Sequence, residues 1–279
     1  MDRLSPAHES LGTRNDLCVR LARSGAEIAT AQELRFSVFY EELKANPDAA
    51  ALQSRRDADR FDAFCDHLIV VRRMAKDQAG QFGVDDGEMV GTYRLLRQSV
   101  ADQNGGFYTQ SEFDIAPLLA AKSALKFLEL GRSCVLKQYR TKPVVELLWQ
   151  GIWNYVRLHG LDVMLGCASL EGIDHSVHAP TLNFLARNSA APAEWRVCAV
   201  PERYVEMKSD AEPFTDAKAA LKALPPLVKG YLRLGCYIGD GAVIDWQFNT
   251  TDVLIILPVS NISPRYIAHF GQPNEAITY

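Results

Sequence analysis

The stretch from Lys126 to Leu170 constrains the fold more than any other part of the chain. An apolar strand, KFLELGRSCVL (126–136), leads through a basic link, KQYRTK, into the helical segment PVVELLWQGIWNYVRLHG (143–160). A second apolar strand, DVMLGCASL (162–170), follows at once. Strand, helix and strand in that order make a parallel crossover, which is right-handed almost without exception. Pro143 suits a first helical turn and Gly160 a C-terminal cap. Val145, Leu148, Trp149, Ile152 and Val156 line up as one apolar stripe on that helix. The chain is therefore α/β, with at least one helix laid on a sheet.

The flanking pattern extends this. LCVRLARS (17–24) alternates as a half-buried strand, and Ala26 to Leu43 carries helical spacing that Asn46-Pro47-Asp48 breaks. Residues 48–65 read as a short helix and a loop. HLIVVRRM (67–74) and MVGTYRLLRQ (89–98) read as meander strands, and 99–123 as a long loop. A helix near 180–187 and a strand near Trp195–Ala199 follow, then a polar stretch over 201–223. After Pro225-Pro226, LVKGYLRLGCYIGDGAVIDWQFNTTDVLIILPV reads as two or three strands with a GDG turn. The expected organisation is a loose arm over 1–16, a core over 17–200 with a mixed central sheet, and a strand-rich extension over 201–279 packed on that core.

Composition excludes several classes. A net charge of −4 argues against a general nucleic-acid binder. No stretch reaches the ~18 consecutive apolar residues of a membrane span, and MDRLSPAHESLGTRND has no apolar core of a secretory signal. Six scattered cysteines form no CxxC pair, and most sit in apolar surroundings and read as buried thiols of a reducing cytoplasm. GxSxG, GxxxxGK[ST] and a strand-linked GxGxxG are all missing, which sets aside a serine elbow, a P-loop and a Rossmann site. His67, His159, His175, His178 and His269 have no ligand spacing in a regular element, so no metal site is expected.

Four regions carry charge where chemistry could use it. Arg132, Lys137, Arg140 and Lys142 form a basic run without an acid just before a helix N-terminus. That arrangement suits a phosphate, or is a solvated loop. Glu129 and Arg132 lie inside an otherwise apolar strand, where charges are costly unless paired or used. Strict alternation puts them on opposite faces, and a bulge at Gly131 would bring them to one. Asp59-Arg60-Phe61-Asp62, with Asp66 and His67, is either a pocket for a cation or a loop of capping aspartates. Arg35 in its helix and Arg94 in VGTYRLL are either functional or surface arginines with snorkelling stems.

The order of these residues resembles a known pattern. Arg35 with Val38-Phe39, Asp59 with Asp62, Gly91 with Arg94-Leu95, and Glu129 with Arg132 resemble the R-x-x-V-F, D-x-x-D, G-x-x-R-L and E-x-x-R motifs of acyl-homoserine-lactone synthases. The longer resemblance is to the ornithine–acyl-carrier-protein N-acyltransferases that make lyso-ornithine lipid. LRFSVFYEEL, DADRFDAFCDHLIV, VGTYRLLR, LELGRSCV, GCASLEG and LPPLVKGYLRLGC–GDGAVIDWQFNTTDVLIIL carry it, over roughly residues 17–258.

The resemblance implies a GNAT-like acyltransferase fold and transfer of a (3-hydroxy)fatty acyl group from acyl carrier protein to the α-amine of ornithine. The implied partners are acyl carrier protein, ornithine or a similar amino acid, and the fatty acyl chain. No bound cofactor is implied, because the acyl group arrives on the carrier's phosphopantetheine. Arg140-Thr141-Lys142-Pro143-Val144 lacks the small residues of the usual GNAT pyrophosphate loop, Q/R-x-x-G-x-G/A, which fits a carrier-borne donor better than coenzyme A.

The implied roles follow motif by motif. Glu129 accepts the proton, and backbone N–H groups near 131–135 hold the oxyanion. Arg132 fixes Glu129 or lines the thioester site. Asp59 and Asp62 hold the δ-ammonium or orient the α-amine, and Arg35 or Arg94 meets the substrate carboxylate. Lys137, Arg140 and Lys142 meet the phosphopantetheine phosphate and the acidic carrier. Alternatives are another acceptor, as in long-chain N-acyl amino acid or lactone synthases, a CoA-dependent acetyltransferase, and a non-catalytic acyl-carrier or lipid-binding module. Release of a single-chain lipid makes peripheral contact with the inner membrane an expectation.

Overall fold

The structure is a computed structural model that describes residues 10–74, 78, 80–209 and 217–266. In chain order the elements are β1 (Gly12–Arg14), β2 (Leu17–Leu21), α1 (Gly25–Phe36), α2 (Ala49–Ser54), β3 (Asp66–Arg73), β4 (Gly83–Val84) and β5 (Gly87–Arg97). Next come α3 (Gln98–Ala101), α4 (Ala116–Ala121), β6 (Phe127–Val135), α5 (Lys142–His159), β7 (Val163–Glu171) and α6 (His175–Asn188). The chain goes on through β8 (Tyr204–Val205), α7 (Ala217–Ala223), α8 (Pro226–Leu234), β9 (Tyr237–Asp245) and β10 (Thr250–Pro258).

Two compact units divide the described chain: residues 10–96 with 130–160, and residues 97–129 with 161–266. The expected boundary at residue 200 does not coincide with this division. Residues 1–9, 210–216 and 267–279, including His269, lie outside the described residues.

In the first unit β1, β2, β3 and β5 pair antiparallel in that order. The loose arm expected up to residue 16 is shorter, because Gly12–Arg14 pairs with Leu17–Val19 as a tight hairpin. Strand parity places the helices. Ile69 and Val71 pack with Ala31 and Leu34 of α1, whereas Leu68 and Val19 meet Gly151 of α5. Since Leu68 and Ile69 are consecutive in β3, α1 and α5 cover opposite faces.

The α5 stripe is rotated from the expected one. Val144, Leu148, Gly151, Ile152 and Tyr155 are buried, and Val145 is 43% exposed. Gly151 has a packing reason: a Cβ there would stand 2.6 Å from Val19 Cγ2. Val19 is fully buried and β-branched, so it has little room to turn away. Gly151→Ala is therefore expected to lower stability by about 1–3 kcal/mol, even though helix propensity alone favours alanine by about 1 kcal/mol. Chemical denaturation reads this, and a raised midpoint would mean that the helix shifts freely over the sheet.

Ser24 caps α1, and the helix does not stop at Phe36. It widens into a π-turn over Ser37–Glu42, with Leu43 N–H donating to Val38 O at 2.9 Å.

In the second unit the start of β6 runs parallel to β7, and β10 joins β7 antiparallel, followed by β9 and β8. The sheet is thus mixed, as expected. Three local expectations change. LVKGYLRL forms α8, since Pro225-Pro226 starts a helix and Gly235, at φ +87°, ends it. The GDG segment lies inside β9, with Gly241 at φ +85°, and the turn falls at Trp246–Asn249. Trp195–Ala199 makes only single bridges, such as Cys198 with Asp240.

Candidate active site

Three aspartates and three arginines gather on the α1 side of the first unit's sheet. His67 and Arg94 are cross-strand partners in β3 and β5, and His67 has the parity of Ile69, which faces α1. Asp59 caps a single 3₁₀ turn, Arg60–Ala63, by accepting Phe61 N–H at 2.8 Å, and Asp62 completes the capping box on Asp59 N–H at 3.0 Å. The capping reading of these aspartates is therefore correct. Their outer oxygens do more.

Arg35 Nε donates to Asp57 Oδ2 at 2.8 Å, its Nη2 donates to both Asp62 oxygens at 2.9 Å, and the same Nη2 also donates to the Asp57 carbonyl. Arg94 Nη1 donates to Asp59 Oδ1 at 2.7 Å and reaches Asp62 Oδ1 at 3.5 Å. Arg132 Nη2 donates to Asp59 Oδ2 at 3.2 Å, and its Nε stands 3.3 Å from Asp57 Oδ2. The guanidinium of Arg94 also lies over the Phe61 ring.

Burial by itself would raise the Asp62 carboxyl. The Arg35 and Arg94 charges outweigh it and hold the group below its ordinary range. Burial, with the same two arginines, pushes the His67 imidazole down, so it stays neutral and touches the Asp62 carbonyl at 3.1 Å.

Arg35 and Asp62 are 1% and 5% exposed. They are anchors of an ion-pair network and not groups open to a substrate, and neither they nor Arg94 are snorkelling surface residues. The open members are Asp59 and Arg132, with side chains 26% and 11% exposed. The backbone irregularity in β6 falls on Arg132 itself, at φ +52°, and not on Gly131.

The second unit holds Glu129. Its Oε1 accepts Thr109 N–H at 2.7 Å and its Oε2 accepts Tyr108 N–H at 3.1 Å, and the residue is 5% exposed. These donors come from the start of the 3₁₀ turn Tyr108–Ser111, a segment expected to be plain loop. Nearby, Glu112, Asp245 and Asp252 bring one carboxylate oxygen each within 4.8 Å of one another, and all three are buried. Cys167, whose sulfur is 4.0 Å from Thr109 Oγ1, is pushed well up by burial first and by the Glu112 charge next.

Residues 34–150 match the model of the acetyltransferase (GNAT) domain. The chain is 49% identical over 266 residues to the L-ornithine N(alpha)-acyltransferase of Agrobacterium fabrum, covering 95% of this chain and 89% of the relative. It is 50% identical to the protein of the same name from Rhizobium meliloti, over 96% and 88%. The chain belongs to the L-ornithine N(alpha)-acyltransferase family. The family relationship reaches to Rhodobacter capsulatus, at 36% identity over 89% of this chain and 92% of that one. Among solved structures, the acyl-homoserine-lactone synthase LasI aligns with 94% of this chain and 98% of its own, at 12% identity and a TM-score of 0.47.

In this family member the basic link is partly neutralised. Arg140 forks onto Glu42 with both Nη atoms, at 2.6 and 2.8 Å. Lys137 is exposed, and Lys142, with a side chain 83% exposed, has Glu146 at 3.5 Å. Asp174 caps α6, and His178 touches the Glu171 carbonyl.

Sequence reasoning missed Asp57, which sits in the quoted DADRFD run, two residues before the aspartate that was singled out. It also missed Glu112, Asp245 and Asp252. The signal for Asp252 was present. TTDVLIIL embeds an acid in a core strand, the same anomaly that drew attention to Glu129.

Proposed function

We propose that this protein transfers a (3-hydroxy)fatty acyl group from acyl carrier protein to the α-amine of ornithine, giving lyso-ornithine lipid. The near full-length identity to relatives named L-ornithine N(alpha)-acyltransferase carries the reading. The neutral amine attacks the thioester carbonyl, an N–C bond forms, and the C–S bond breaks. The amine loses a proton, and the phosphopantetheine sulfur leaves and takes one up.

No covalent enzyme intermediate is needed, so the protein contributes positioning, a proton acceptor and oxyanion donors. Glu129 is the proposed proton acceptor, directly or through a water. Two backbone N–H groups hold this carboxylate in a fixed orientation. Backbone N–H groups near 131–135 are the proposed oxyanion donors. Asp59 and Arg132 are the proposed substrate contacts of their network, with Arg35, Asp62 and Arg94 holding them in place. Among the described residues no helix is long and apolar enough to cross a membrane. Contact with the inner membrane surface for product release stays part of the proposal.

Lys137, Arg140 and Lys142 are proposed to meet the carrier and its phosphate. Arg140→Glu would set two carboxylates side by side at Glu42, and should raise KM for the acylated carrier several-fold with a shallower salt dependence. KM for ornithine should not move, since rim charges act mainly on encounter. Equal effects on both substrates would remove this role. The reaction itself is tested by mixing purified protein with 3-hydroxyacyl carrier protein and a panel of amino acids, with products read by mass spectrometry. N-acylated ornithine is expected. Another conjugate would change the acceptor, and no amide would favour a binding module.

A further inference from the structure

We infer that Tyr139 is a positioning residue for the acylated carrier, holding the basic link in the form that meets it. This deepens the carrier reading of Lys137, Arg140 and Lys142 and rests on it.

The link has little to hold itself with. It starts where β6 ends: Leu136 is buried, and its N–H donates to Val90 O at 3.0 Å. Lys137–Tyr139 then make a single 3₁₀ turn, with Tyr139 N–H on Leu136 O at 2.8 Å and Arg140 N–H on Lys137 O at 3.3 Å. Such a turn has few hydrogen bonds, of poor geometry. Lys137, Gln138, Arg140, Thr141 and Lys142 are all exposed. A segment of this kind, left to itself, opens locally at little cost.

Two adjacent side chains fasten it. The Tyr139 ring packs against the core cluster that contains Val71, Met89 and Leu136. Its hydroxyl accepts Arg72 Nη1 at 3.0 Å and donates to Glu88 Oε2 at 3.1 Å. Arg72 and Glu88 are cross-strand partners in β3 and β5, so the hydroxyl joins two opposite charges that the sheet already sets side by side. Arg72 is itself held, because its Nε donates to Asp16 Oδ2 at 3.1 Å. Arg140 is tied elsewhere, with Nε on Val135 O at 3.0 Å and its fork on Glu42. Lys137 and Lys142, on either side of this tied pair, are the exposed cations.

A cation on a preordered loop meets an anion without the entropy cost of ordering the loop at that moment. Both hydrogen bonds of the Tyr139 hydroxyl have a charged partner, which makes them the stronger kind. The hydroxyl carries no charge itself and acts through the lysines.

Tyr139→Phe keeps the ring and removes the hydroxyl. KM for 3-hydroxyacyl carrier protein should rise about three- to tenfold, the factor that a net hydrogen bond is worth. KM for ornithine and kcat should not move. The carrier KM should keep its salt slope, because every cation of the link is still present, whereas Arg140→Glu makes that slope shallower. Amide hydrogen exchange at Tyr139 and Arg140 should quicken while β3 and β5 stay protected. Glu88→Ala removes one partner of the hydroxyl and should raise the carrier KM in the same way, which keeps the test open if Tyr139→Phe fails to fold.

Lys137→Glu separates the two ideas. If it raises the carrier KM while Tyr139→Phe and Glu88→Ala do not, the positioning role is overturned and the carrier reading stands. If none of the three changes that KM, both are overturned. Tyr139→Phe that raises both KM values alike, or that loosens the link amides with the carrier KM unchanged, would also overturn the role and leave the hydroxyl a structural staple.

Discussion

Arg35→Ala is expected to destabilise the protein by about 3–5 kcal/mol, the range found when one partner of a buried ion pair is removed. The reason is geometric. Arg35 is 1% exposed and holds Asp57 and Asp62, which are themselves buried, so its loss removes their shortest ion pairs and leaves only the longer reaches of Arg132 and Arg94. Urea denaturation measures the loss. A double-mutant cycle with Asp62→Asn isolates the coupling, because the second change should cost far less once Arg35 is gone. Acid should act on the same element. The Asp62 carboxyl is held below its ordinary value of 3.8, so its contribution is complete above that pH and fades as pH falls through the lower folded value. A loss below 1 kcal/mol for Arg35→Ala would mean that the network relaxes and resolvates.

Glu129→Gln should lower kcat by ~10²–10⁴ while the protein stays folded, as expected for loss of a general base. Glutamine keeps the length and one acceptor oxygen, but its amide nitrogen would face either Tyr108 or Thr109 N–H. A stability cost of about 1–3 kcal/mol for the unsatisfied donor should therefore accompany the change. The pH profile separates the two effects. If Glu129 takes the proton, the acidic limb of kcat/KM disappears in the variant. If it only clips the 3₁₀ turn in place, activity falls with the limb intact. Near-native turnover would remove the base from the mechanism.

The sheets and the crossover were legible because long apolar strands and a capped amphipathic helix carry strong periodic signals. The network was half legible. Its arginines stood out as charges in apolar surroundings and two of its aspartates as an acidic cluster before a strand, but their mutual pairing depends on strand parity and on a 3₁₀ turn that no periodicity announces. Asp57 went unnoticed because an aspartate in a charged loop looks ordinary until an arginine from a distant helix is folded onto it. The acidic group in the second unit was hidden for a related reason. Glu112 comes from a non-repetitive insert, and Asp245 and Asp252 meet only through the pairing of β9 with β10. LVKGYLRL was misread because a nine-residue helix rich in leucine, valine and tyrosine has the composition of a strand.

Arg132 combines two demands in one position. Its left-handed backbone costs about 1–2 kcal/mol for any residue with a Cβ, which glycine would escape, yet only a guanidinium reaches both Asp57 and Asp59 from there. The fold accepts a locally unfavourable torsion to aim a cation, and the tension is held in place by the salt links that the torsion makes reachable. Alanine and glycine at this position would separate the two contributions: they share the lost charge and differ only in the relief of the chain.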